Sequence, residues 1–421
     1  MNPKFLLTVL ASLFALDCAS AEPATAPKLA ATWDFSGIQT SLVGPADATR
    51  HYFSEGSTVL LKDGRLMHAM TCRRNPLAGQ KEGWHPHYVP TEIARAFSAD
   101  GGRTWTEGEF MLKTEVRTTS LVALARLGDG ALGLSYNKIS ADTKAVRVFR
   151  RSTDEGATWS NEIVITPTDG YWTASHDRLH VLADGRIVQP LHHKEVLLPE
   201  RMVTHVALSD DHGRTWHVGQ QRLNVEDRIP AFVEKTGKGR GTGFWEVAVT
   251  TRADGSLFMI GRTRAGLLYR SESRDRGDTW AMPVSTGVVT PEAPGNVERI
   301  PGTDDLLLVW NSGYVDANHS LLGHRTTLST AISTDGGNTW KWKRDLVSAT
   351  PDTTGGYGVC YPSILFHDSH ALIGYHMLTG REFAQRGREY LARVPLAWLY
   401  AERDFHRPES IGTARRMPDG G

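Results

Sequence analysis

Four residues of this chain carry chemistry at suggestive separations. Glu246 and Arg262 flank an Asp254-Gly255 turn, Arg325 follows further on, and Tyr361 lies in a Tyr-Pro-Ser-Ile run near the end. A guanidinium presents a planar donor fork that matches a carboxylate through two parallel bonds, so two converging arginines would select an acidic ligand. His85, His87, His176 and His192 add imidazoles, which titrate near neutral pH unaided. Asp177 and the pair Arg73-Arg74 complete the candidate set. Together these types suit proton-transfer chemistry on an acidic ligand. They are far apart in sequence, so the fold must gather them.

The elements that do so are announced by a repeated phrase. Ser-x-Asp-x-Gly-x-Thr-Trp occurs at 98–105, 152–159, 209–216, 273–280 and 333–340, with the tryptophans 54, 57, 64 and 60 residues apart. Such regular spacing marks repeated structural units. The residue types suit a tight turn: Ser and Asp bond nearby backbone, Gly allows positive φ, and Trp packs back across the corner. Asp63-Gly64, Asp129-Gly130, Asp184-Gly185 and Asp254-Gly255 interleave with them, each between short apolar runs, a strong hairpin signal. Weaker equivalents at Gly302 to Asp305 and at Asp368-Ser369 bring the hairpins to six. The expected fold is all-β, a six-bladed β-propeller of four-stranded blades with five such boxes.

In antiparallel blades the first and third turns share one face, so reactive groups should emerge on the other. The starts of the first strands present Ser54-Glu55, Thr118 to Ser120, His176-Asp177, Glu246 and Tyr361. The ends of the second strands and the connections beyond them present Arg73-Arg74, Tyr136-Asn137, His192-His193, Arg262 and Arg325. So many ionisable groups near an axis are costly to desolvate unless they are paired or serve a ligand.

The boxes and their spacing resemble those of the sialidase (neuraminidase) superfamily from about residue 54 to 400, and four site positions resemble that family's as well. A Glu opens the fourth blade and an Arg follows after one hairpin, as Glu246 and Arg262 do here. Another Arg precedes the fifth box, the place of Arg325, and Tyr361-Pro362-Ser363-Ile364 is similar to the family's Tyr-Ser-x-Leu. The resemblance implies a Tyr361 nucleophile, Glu246 as its base, and Arg262 with Arg325 as a clamp on the substrate carboxylate. A neutral phenol can approach an anomeric carbon that already bears a carboxylate, where an acidic side chain would be repelled; sialidases are known exceptions to the two-carboxylate scheme. A structural ion pair between Glu246 and Arg262 and a core role for Tyr361 are the simpler alternatives.

Two family features are missing. Tyr52-Phe53-Ser54-Glu55-Gly56 stands where the family has Arg-Ile-Pro, and the connection 73–90, which should carry an acid/base Asp, has none. Arg73 or Arg74 is the candidate substitute for the lost arginine, though both also suit a solvated surface. His85 or His87 is the candidate proton donor, a plain loop histidine being the alternative. The interval from Asp63 to Trp105 is 42 residues against 26 to 36 in the next four units, so this loop is an insertion.

The 47 basic and 47 acidic residues cancel, which gives no case for a nucleic-acid partner. Residues 1–21 read as a secretory signal, with Lys4, an apolar run from Phe5 to Leu16 too short to span a bilayer, and a cleavage site at Ala19-Ser20-Ala21. Lipidation at Cys18 is the alternative. Residues 22–30 read as a flexible leader, 31–405 as the propeller and 406–421 as a tail, giving a secreted or periplasmic protein. Ala31 to Phe35 and Tyr390 to Tyr400 are the candidates to complete the last blade. Cys72 and Cys360 fall on blades that meet when the ring closes; two separate buried thiols are expected rather than a bridge. No zinc-ligand spacing and no cofactor motif occur. The expected partner is a glycan with an acidic sugar, cleaved by a retaining exo-glycosidase of sialidase type. A glycosidase or lyase acting on uronate polysaccharide, and a non-catalytic glycan-binding propeller, are the other two classes.

Overall fold

The computed structural model describes residues 37–44, 50–74, 91–112, 116–195, 201–225, 232–233, 239–312, 325–348, 357–379 and 386–401. They form six antiparallel blades in a ring. Blade 1 runs through Arg50–Leu60, Leu66–Arg74, Thr91–Ser98 and Glu109–Leu112, and blade 2 through Thr118–Arg126, Leu132–Ala141, Lys144–Ser152 and Ile163–Val164. In blade 3 the first strand is broken into Trp172–Thr173 and His180–Val181, both paired with Ile187–Glu195; Arg201–Ser209 and His217–Val218 follow. Blade 4 comprises Trp245–Thr251, Leu257–Arg262, Leu267–Ser273 and Val284–Val289, and blade 5 Asn296–Arg299, Leu306–Asn311, Thr327–Ser333 and Lys341–Ser348. Among the described residues no helix is long and apolar enough to cross a membrane.

Blade 6 is shared by the two ends of the chain. Tyr357–His367, His370–Thr379 and Arg386–Pro395 supply three strands, and Gln39–Gly44 pairs antiparallel with the last as the fourth, Gln39 opposite Arg393. Of the two expected closing segments, Tyr390 to Tyr400 takes part over residues 390–393 and turns into the short helix Leu396–Tyr400 beyond Pro395, while Ala31 to Phe35 lies outside the described residues. Cys72 and Cys360 are both buried and unbridged.

Each blade is covered on both faces by its neighbours, which is why its strands read as nearly continuous apolar runs. Leu257–Arg262 is buried at every position. Six buried clusters occupy the six seams, for example Met67, Leu124 and Leu134 between blades 1 and 2, and Leu66, Leu372 and Leu391 between blades 1 and 6. Such burial is the main favourable term in the fold.

The boxes lock the outer corners. In the third, Ser209 donates its hydroxyl to Asp211 at 2.9 Å and accepts from the Gly213 amide at 2.8 Å, and Asp211 also accepts from the Thr215 amide and hydroxyl. The other four boxes repeat this pattern. Each box glycine faces the preceding blade. Gly213, at φ 85°, would bring a Cβ to 2.1 Å from the Phe149 ring of blade 2. Gly213→Ala therefore combines a left-handed backbone with a clash in a packed seam, and is expected to cost about 3 kcal/mol. Thermal unfolding should register it as a fall in Tm of about 3 to 5 °C.

The inner edge has its own recurring device. Glu55 (φ 58°), Leu121 (58°), Asp177 (50°), Glu246 (50°) and Tyr361 (58°) all adopt the left-handed region. In blades 1, 2, 4 and 6 this residue lies inside a register shift of the first strand, between Ser54 and Ser57, Ser120 and Ala123, Trp245 and Ala248, and Cys360 and Ser363. In blade 3 it fills the break. A bulge re-aims one side chain, at a strain of about 1 to 3 kcal/mol for a residue with a Cβ.

Candidate active site at the mouth of the ring

The bulges bring together residues that are remote in sequence. Tyr361 of blade 6 donates its hydroxyl to Glu246 Oε1 of blade 4 at 3.0 Å, across the width of blade 5. Arg262, from the second strand of blade 4, pairs through Nη1 with Glu246 Oε2 at 2.6 Å and lies 3.5 Å from the Tyr361 hydroxyl. The Arg325 guanidinium sits over the Tyr361 ring, 5.4 Å from its centroid, and donates to the Glu292 carbonyl at 2.6 Å. The four residues expected to meet do so.

Residues without a sequence signature complete the arrangement. Glu292, in the connection between blades 4 and 5, lies 3.5 Å from Arg262 and 3.2 Å from Arg264. Both guanidiniums lie over Trp245, at 4.5 and 4.7 Å. His376 stacks on Tyr361 with ring centroids 5.3 Å apart, and its Nε2 is 3.2 Å from Cys360 Sγ. The spacing of Arg262 and Arg264, two apart at a strand end, was a usable signal that both face one side. Glu292 and His376 had none.

Electrostatics set the protonation states. Burial pushes the Tyr361 hydroxyl well up, and the Glu246 charge adds to this against Arg262 and Arg325, so the phenol is neutral at pH 7. Burial opposes the charge on Arg325, yet the electrostatic pull of its neighbours, the Glu246 carboxylate among them, outweighs it and keeps the guanidinium charged. Burial pushes His176 well down and His192 to about 3, with Arg178 acting on the first and Arg262 on the second, so both imidazoles are neutral.

Other expected residues stand elsewhere. His176 is buried with its ring 5.5 Å from that of Tyr361, so it walls that ring on one side. Asp177 does not face a ligand on this side. Its carboxylate accepts from Ser57 at 2.7 Å, Asn296 at 3.0 Å and the Ile364 amide at 3.0 Å, tying blades 1, 3, 5 and 6 together on the axis. Its role is a correction, arising because the broken strand of blade 3 turns it inward. His193 stacks on Trp172 at 4.2 Å. Arg73 stands in register with Tyr52 and Thr91, and Arg74 with Arg50, at the end of their strand. His85 and His87 lie outside the described residues.

Behind Asp177 a cavity of about 450 Å³ is lined by Leu61 and Lys62, beside the Asp63-Gly64 turn, and by Asp177 and Glu298. Burial pushes the Glu298 carboxyl up to about 8, the Asp177 charge adding to this while the Thr250 hydroxyl and Arg178 oppose it. A carboxyl raised on folding holds its proton longer in the folded state. Its contribution is complete below the unfolded value near 4.5 and is lost as pH rises through about 8. Glu298→Gln is therefore expected to flatten stability between these limits and to gain about 2 kcal/mol above pH 8, the cavity's access to water moderating the effect. Urea unfolding at pH 5 and pH 9 reads this directly.

The pattern of the BNR repeat-like domain family matches residues 77–374. The chain is 24% identical over 381 residues to a sialidase of Paraclostridium sordellii, covering 81% of this chain and 85% of that protein. Among solved structures, a protein of unknown function from Dyadobacter fermentans superposes with a TM-score of 0.65 at 19% identity, over 85% of this chain and 99% of that one. The intramolecular trans-sialidase of Ruminococcus gnavus, solved with oseltamivir carboxylate, gives 0.63 at 15% identity, over 86% and 99%. The chain belongs to the BNR repeat-like domain family, as a propeller of the sialidase superfamily.

Proposed function

We propose that the protein is an exo-glycosidase of sialidase type that releases a terminal acidic sugar, most simply a sialic acid, with retention. The observation that carries this reading is the 3.0 Å bond from the Tyr361 hydroxyl to Glu246, with Arg262 touching both. A phenol kept neutral by burial approaches a carbon bearing a carboxylate without repulsion, and Glu246 takes its proton as the bond to the sugar forms. Arg262 and Arg325 would hold the sugar carboxylate, the blade 1 position of a third arginine being occupied by other residue types. An export signal ending near Ala21 would put this activity outside the cytoplasm, and N-terminal sequencing of the mature protein tests that part.

Incubation with 4-methylumbelliferyl sialoside and 3′-sialyllactose tests the activity, with NMR identification of the anomer first released. Release of the retained anomer is the expected result. Turnover of uronate polymers with a rise in ultraviolet absorbance, and none of sialosides, would replace hydrolysis by elimination. Binding without turnover of either would make the propeller a lectin.

A further inference from the structure

Retaining cleavage needs a proton donor for the leaving oxygen, and the residues around Tyr361 narrow the choice. Glu246 is committed to Tyr361 and Arg262. Glu292 is buried between Arg262 and Arg264, and Asp177 is tied on the axis by three bonds. The His176 and His192 imidazoles are buried and neutral. Among the described residues, the inner edge of blade 1 presents a further carboxyl. Glu55 occupies in blade 1 the same left-handed bulge position that Glu246 and Tyr361 occupy in blades 4 and 6.

We propose that Glu55 is the general acid/base of the reaction, a role that rests on the glycosidase reading above. Blade 1 adjoins blade 6 across the ring closure, so Glu55 and Tyr361 project from neighbouring bulges. The junction between them is rigid: the Gly56 amide donates to Glu389 Oε1 at 3.3 Å, and His68 pairs with Glu389 at 3.4 Å, both side chains buried. On the other side Thr71 donates its hydroxyl to Glu55 Oε2 at 3.3 Å while accepting from the Leu121 amide at 3.0 Å. Glu55 is part-exposed where Glu246 is buried, as a group that must meet a leaving group and then water should be. Its charge also reaches Tyr361 and Cys360, raising both.

In the first step protonated Glu55 gives its proton to the glycosidic oxygen as the C–O bond breaks and the bonding pair leaves with that oxygen. Tyr361 Oη bonds to the anomeric carbon and its proton passes to Glu246. In the second step the Glu55 carboxylate takes a proton from the attacking water, the sugar–tyrosine bond breaks, and Glu246 returns its proton to the phenolate. A substrate carboxylate bound by the arginines would itself favour the protonated form of Glu55, since like charges disfavour ionisation.

Leaving-group dependence tests this in the full-length enzyme. Glu55→Gln should lower kcat/KM on 3′-sialyllactose about 10² to 10³-fold and on the 4-methylumbelliferyl sialoside less than about 10-fold, because an aryl oxygen leaves without a proton. The alkaline limb of the kcat/KM profile for 3′-sialyllactose should disappear. Should that variant fail to fold, judged by its unfolding transition, Glu55→Asp carries the same contrast with a smaller loss. Equal losses on both substrates in a folded variant, or an unchanged alkaline limb, overturn the role and leave the donor to the loop holding His85 and His87. Inactivity of the parent enzyme on both sialosides overturns the glycosidase reading, and the role of Glu55 with it.

Discussion

Tyr361→Phe is expected to lower kcat on an aryl sialoside by about 10³-fold or more while KM stays within about 3-fold. The substitution deletes one oxygen and leaves the ring, so the stacking on His376 and the cover over Arg325 persist. What disappears is the atom that bonds to Glu246 and the nucleophile itself. The structural cost is small, about 1 kcal/mol for one hydrogen bond, so Tm should barely move. Any residual turnover would come from direct attack by water and would release the inverted anomer, which NMR distinguishes. A variant that keeps its full rate and the retained anomer would remove Tyr361 from the chemistry.

Arg262→Ala should have the second largest effect, on binding and on folding together. The guanidinium pairs with Glu246 at 2.6 Å, contacts Glu292 at 3.5 Å and lies over Trp245. Its removal leaves Glu246 charged and unpaired in a site where both side chains are about nine-tenths buried. Breaking such a pair costs about 3 to 5 kcal/mol. KM for a sialoside should rise about 10²-fold, because a bidentate hold on the carboxylate is lost. Combining Arg262→Ala with Glu246→Gln should recover much of the stability and none of the activity. Chemical denaturation of the two single variants and the double variant measures that coupling.

The architecture was legible because its turns are local. Each Ser-x-Asp-x-Gly-x-Thr-Trp box satisfies its own hydrogen bonds within eight residues, and Asp368-Ser369 forms a hairpin with both residues at positive φ, as its weak sequence signal suggested. Blade count and strand direction placed Tyr361, Glu246, Arg262 and Arg325 on one face among other residues, and the resemblance to sialidases singled out these four. Harder to read were features set by the ring as a whole. Nothing in Asp177 or Glu55 announces a left-handed bulge, since neither is glycine, and only the surrounding sheet holds them there. Glu292 lies in a connection with no periodicity, and its value comes from arginines that fold onto it. Asp177 and His176 share a dipeptide, yet the broken strand sends one to the axis and the other against the Tyr361 ring. The closing strand Gln39–Gly44 is short, and its pairing partner lies some 350 residues later, beyond the reach of local pattern.

That last pairing has a bearing on when the ring is complete. As the ribosome extends the chain, the opening strand must wait unpaired until Arg386–Pro395 emerges, so the newborn ring stays ajar until that strand has been made. Glu55 and Tyr361 stand on opposite sides of that gap, so the acid and the nucleophile proposed above cannot meet before it shuts. Once joined, Gln39–Gly44 and Arg386–Pro395 hold each other, so neither strand peels away without breaking the pairing that shuts the last blade.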